Sequence, residues 1–77
     1  MANRRKSRYP SNYDIMRAIR VAIGLCEDPL EFPEYVRKIL QEWGFSTQLV
    51  SDRRVWRLYE EMVRRRFIPD SLGVMLG

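Results

Sequence analysis

Apolar residues recur at helical spacing in three stretches of this chain, and residues that stop a helix separate them, which leaves little but a small, mainly α-helical fold. In the first stretch Ser11 and Asp14 have the spacing of a capping box, and Ile15, Ile19, Ala22, Ile23 and Cys26 follow with Arg17 and Arg20 on the other side. This predicts a helix from about Asn12 to Cys26, closed by Glu27-Asp28-Pro29, since proline disfavours helix at the residue before it. The connector runs through Leu30, Glu31 and Phe32. Pro33 suits a first turn, Glu34 matches the positive end of the helix dipole, and Tyr35, Val36, Ile39, Leu40 and Trp43 form a second buried stripe that stops at Gly44. The third helix begins at the N-cap Ser51, buries Val55, Leu58, Tyr59, Met62 and Val63, and runs to about Arg66. Phe45, Leu49 and Val50 show neither period and fit a loop, a short strand or an early start to the third helix. Phe67-Ile68, the turn cluster Pro69 to Gly73 and the triplet Val74-Met75-Leu76 predict a short C-terminal β-hairpin.

Seventy-seven residues make one small domain, with a core that supplies only a few kcal/mol of net stability. The formal net charge is +4, and it is unevenly placed. Residues 1–10 hold Arg4, Arg5, Lys6 and Arg8 with no acid and nothing to bury, as in a flexible basic arm ahead of a domain over residues 11–77. Residues 51–67 carry six arginines against Asp52, Glu60 and Glu61. A basic tail and a basic helix favour polyanions, nucleic acid above all. Arginine outnumbers lysine twelve to two, which suits phosphate and guanine recognition; a GC-rich genome or a hot habitat produces the same bias.

Other classes are disfavoured. Cys26 is alone and histidine is absent, so neither an internal disulfide, a zinc site nor a thiol triad is expected, and the compartment is expected to be reducing. No apolar run approaches the ~20 residues of a membrane span and no signal-peptide pattern opens the chain, so a cytoplasmic protein is expected. No nucleophile has a base to activate it, and Glu27, Asp28 and Glu31 are better explained as a polar connector than as a metal site. The expectation is a protein without enzymatic activity, cofactor or metal.

The order of elements, with Trp43-Gly44-Phe45-Ser46 at the turn, Ser51, Val55, Tyr59 and Met62 on the third helix and Phe67-Ile68 after it, resembles the winged helix-turn-helix superfamily over Asn12 to Leu76. Residues 47–51 are extra relative to that pattern, and Arg66 stands where many members have glycine. The resemblance implies a three-helix helix-turn-helix core with a short hairpin wing, and a third helix that enters the DNA major groove, most often to regulate transcription.

With Val55, Tyr59, Met62 and Val63 inward, a step of about 100° per residue turns Arg53, Arg54 and Arg57 outward near the start of the third helix, beside Ser51. Arginines there reach guanine edges or phosphates; the alternative is a solvated face in which Arg53 and Arg57 pair with Asp52, Glu60 and Glu61. Arg64 and Arg65 are further phosphate candidates, although cations in a last turn are favoured by the helix dipole in any protein. Arg4, Arg5, Lys6 and Arg8 would follow a minor groove or the phosphate backbone, or serve as a solubility tail. Trp43 and Trp56 are expected to pack in the core rather than to serve as base-stacking platforms, with a half-exposed Trp56 in a protein contact as the alternative on the flank of the third helix. The leading expectation is thus a small protein that binds double-stranded DNA, sequence-specific or architectural. RNA and an acidic protein partner such as a polymerase are the alternatives. A homodimer formed through Phe45, Leu49, Val50 or the Val74-Met75-Leu76 end would supply the base contacts that one small unit lacks.

Overall fold

A computed structural model of the chain describes residues 8–74. Three helices make up its secondary structure: α1 (Asn12–Ala22), α2 (Phe32–Glu42) and α3 (Asp52–Arg64). Each start has a local cause. The Ser11 hydroxyl accepts the Asp14 N–H at 3.2 Å while the Asp14 carboxylate accepts the Ser11 N–H at 2.9 Å, a reciprocal capping box. The Ser11 backbone N–H, and then its hydroxyl, hold the Asp14 carboxyl below its ordinary value. Pro33 occupies the first turn of α2, where its missing N–H costs nothing. The Ser51 hydroxyl accepts the Arg54 N–H at 3.1 Å and opens α3.

The ends are equally local. Gly44 takes a left-handed φ of 93°, and the Phe45 N–H reaches back to the Leu40 carbonyl at 3.0 Å. Arg66 repeats that geometry after α3 at φ 66°, with the Phe67 N–H on the Met62 carbonyl at 2.8 Å. A glycine would adopt the Arg66 conformation without the Cβ penalty. The first helix is shorter than its apolar spacing predicts: α1 stops at Ala22 and passes through a turn, although the Cys26 N–H still bonds to the Ala22 carbonyl at 2.8 Å and Cys26 is buried.

The core draws on all three helices. Ile15, Ala18, Ile19 and Ala22 face Phe32, Val36 and Leu40 and the Val55, Leu58, Tyr59, Met62 stripe. Phe32, predicted to lie in a connector, is the first residue of α2 and fully buried. Its ring stacks on Trp56 with centroids 5.4 Å apart and meets the edge of Tyr59 at 5.7 Å. Trp43 departs from its expected core position: it caps α2 at 38% exposure, with the Arg17 guanidinium 4.9 Å over its ring. The 45–50 segment is a loop, pinned by Val50 inside and by the Gln41 amide on the Thr47 hydroxyl at 2.8 Å.

The expected C-terminal hairpin is not supported: no strand occurs among the described residues, and 66–74 is a turn-rich strap against α3. Its physical cause is Tyr59. The phenol donates to the Asp70 carboxylate at 2.6 Å and accepts the Leu72 N–H at 3.3 Å, while Asp70 also accepts the Val74 N–H. These bonds gather the turn cluster around one buried hydroxyl, and Ile68 and Leu72 close over the core. Met75 and Leu76, which would complete the hairpin, lie outside the described residues. Burial first, and then donation to Asp70, push the Tyr59 phenol up to about 12.

Residues 8–10, the end of the expected arm, lie against this body. Arg8 and Phe45 form an isolated parallel bridge, the Ser46 N–H bonds to the Arg8 carbonyl at 2.8 Å, and Pro10 is buried. No helix among the described residues is long and apolar enough to cross a membrane, and no cluster of acidic, cysteine or histidine side chains among them could hold a metal ion.

Candidate nucleic-acid interface

The outward face of α3 is sorted by its neighbours. Arg37, on α2, sets the pattern at the N-terminal end: it donates to Asp52 at 2.8 Å, to the Val50 carbonyl at 3.0 Å and to Glu34 at 3.0 Å. Burial opposes the charge on Arg37, but the bonds to Asp52 and Glu34 outweigh it and keep the guanidinium firmly protonated. At the C-terminal end Arg65 meets Glu61 at 2.6 Å, and Arg64 lies 3.7 Å from Glu60 and 3.9 Å from Glu61. All three acids of α3 are therefore engaged by Arg37, Arg64 or Arg65.

Arg53 and Arg57 remain. Both are exposed, and neither makes a hydrogen bond or an ion pair among the described residues. The Arg57–Glu61 pair that helical spacing permits is displaced by Arg65, which approaches Glu61 from one turn further on. Arg54 has a different role: its guanidinium bonds to the Asn12 amide oxygen at 2.9 Å and reaches the Pro10 carbonyl at 3.5 Å, joining α3 to the start of α1. It is half-buried rather than turned freely outward. Ser51 lies beside this face, with its hydroxyl engaged in the cap. Arg8 is exposed, with its guanidinium 5.9 Å from the Phe45 ring centroid. Arg4, Arg5 and Lys6 lie outside the described residues.

Of the ten residues picked out by charge and spacing, the structure brings Arg53 and Arg57 together as an uncompensated pair at the N-terminal half of α3. They flank Trp56, whose partly buried ring lines an open groove of about 390 Å³ with Arg53, Arg57, Tyr59, Glu60 and Val74. Trp56 packs as expected against Phe32 and Tyr59, but its share in this groove follows from the strap, which no spacing in the sequence announces. Of the surfaces proposed for self-association, Val50 is buried and Phe45 half-buried, while Leu49 and Val74 are exposed.

A scan against protein-family models, a search of curated proteins and a search of solved structures each found no match.

Proposed function

We propose that the chain is a small DNA-binding protein that meets duplex DNA with the N-terminal half of α3, in the manner of a helix-turn-helix regulator of transcription. The observation that carries this reading is the sorting of charge on α3: every acid of the helix is held by Arg37, Arg64 or Arg65, and Arg53 and Arg57 are left exposed without a partner among the described residues. Two uncompensated guanidinium groups one turn apart match the bidentate chemistry of phosphates and guanine edges. The order of α2, a connection opened by Gly44 and a basic α3 supports the same reading. Any cations ahead of Arg8 add affinity without specificity.

Fluorescence anisotropy of a labelled DNA duplex, titrated with the full chain at two salt concentrations, tests the reading. The expected result is binding that weakens steeply with salt and becomes weaker and less salt-dependent when Arg53 and Arg57 are both replaced by alanine. Absence of binding at low salt, or equal binding by the double variant, overturns it.

A further inference from the structure

We infer that the groove between α3 and the C-terminal strap seats an unpaired nucleobase stacked on Trp56, with Arg53 and Arg57 holding the adjoining phosphates, so that the surface that meets duplex DNA also captures a base of an unpaired strand. The inference rests on the DNA-binding reading above and adds what the groove beside those arginines takes.

Three observations on one surface support it. Trp56 is a fixed platform: Phe32 stacks against it at 5.4 Å with planes 29° apart, and Tyr59 meets it nearly perpendicularly at 5.5 Å. An aromatic ring already held by its neighbours loses little freedom when a base stacks on it. The arginines lie at the third position before Trp56 and the first after it, and both are without ion pairs among the described residues. They are available for phosphates on either side of a stacked base. The groove itself, about 390 Å³, falls within the ~300–1,000 Å³ range of small-molecule sites.

The walls are set by folding. Tyr59 is fixed by Asp70 and Leu72, and Val74 supplies an apolar side. Bases within a duplex are paired and stacked on one another, so they reach such a groove only by extrusion, at a cost of a few kcal/mol. A single strand does not face that cost.

The test uses the protein with Trp43→Phe, which leaves Trp56 as the only tryptophan; Trp43 is exposed, so this change spares the core. It is titrated with a short oligothymidylate, an abasic strand of equal length and a duplex of equal length. The expected outcome is quenching of Trp56 emission by the oligothymidylate alone, and affinity for it about fivefold to a hundredfold above that for the abasic strand. Replacing Trp56 would risk the Phe32 stack, and the abasic strand avoids this by leaving the protein unaltered. The affinity comparison is repeated with the natural sequence. Equal affinity for the base-bearing and abasic strands, or binding that leaves Trp56 emission unchanged, overturns the inference and leaves the DNA-binding reading intact. Failure to bind any of the three at low salt overturns both.

Discussion

The two halves of α3 carry the same residue type in opposite circumstances. Arg64 and Arg65, in and just beyond the last turn, face Glu60 and Glu61 at one-turn spacing, where both the helix dipole and the local acids favour a cation. Arg53 lies in the first turn, where the dipole disfavours a cation, and Arg57 lies beyond the reach of the dipole; the acids within reach of them are taken, Asp52 by Arg37 from another helix and Glu60 and Glu61 by Arg64 and Arg65. Local stability accounts for the first pair. It does not account for the second, and a position that folding does not reward is a better guide to an external anion than the number of arginines. The engaged acids matter as much as the free bases, because Arg57 would be neutralised if Arg65 released Glu61.

The largest effect concerns what holds the N-terminal half in place. Phe32 is fully buried and stacks under Trp56. Phe32→Ala should cost about 3–5 kcal/mol. A chain of this size has about that much in total, so circular dichroism should show most of the helix signal lost at room temperature. A cooperative melt within a few degrees of the parent would show that the platform beneath the arginines is not part of the core.

The next effect tests the comparison directly. Replacing Arg53 and Arg57 by alanine should lower the slope of log affinity against log salt by about 2, one unit for each phosphate that the variant leaves unneutralised. Stability should be unchanged to within about 0.5 kcal/mol, because the two side chains have no partner among the described residues. An unchanged slope would remove the distinction between the two halves.

Tyr59 ties the strap to the helix and gives a third, smaller effect. Its phenol is pushed up to about 12 in the fold, whereas an unfolded tyrosine ionises near its ordinary value of 10.0. Between those values the unfolded chain has released a proton that the folded chain retains, so alkali favours unfolding there. The Tyr59 contribution is complete below about pH 10 and lost as pH rises through about 12. Urea midpoints should fall across that window. Tyr59→Phe, which removes the bonds to Asp70 and Leu72, should cost about 1–2 kcal/mol at neutral pH and shrink the alkaline fall. An undiminished fall in the variant would assign it to another group.

Those residues mark the boundary of what the sequence made legible. The caps at Ser11 and Ser51 and the stop at Gly44 depend on contacts within a few residues, and spacing locates them. The inward stripe of α3 follows from periodicity for the same reason. The strap could not be read that way: its turn cluster is equally consistent with a hairpin, and only the Tyr59 hydroxyl, which bonds to Asp70 eleven positions further on, gathers it instead. Trp43 has an apolar side chain at a core-like spacing, yet its place at the very end of α2 leaves it beside solvent and Arg17. The candidate interface was half legible. Spacing turned Arg53 and Arg57 outward, but their lack of partners depends on Arg37 reaching Asp52 across fifteen positions, and Arg54 is withdrawn by Asn12 from another helix.

The smallest effect belongs to the C-terminal half. Arg57 and Arg64 are seven positions apart, about 10 Å along the helix and equal to the ~10 Å screening length at 0.1 M salt, and Arg53 lies further still, about 16 Å from Arg64. If the anion sits at Arg53 and Arg57, replacing Arg64 and Arg65 by alanine should leave the salt slope within about 0.5 of the parent. Stability should fall by only about 0.3–1 kcal/mol, the combined worth of exposed ion pairs and a weakened dipole interaction. A fall in slope equal to that of the Arg53/Arg57 variant would mean that DNA displaces Glu60 and Glu61 and contacts the whole length of α3. In that case the ion pairs that distinguish the halves in the free protein would be a resting arrangement rather than a division of roles.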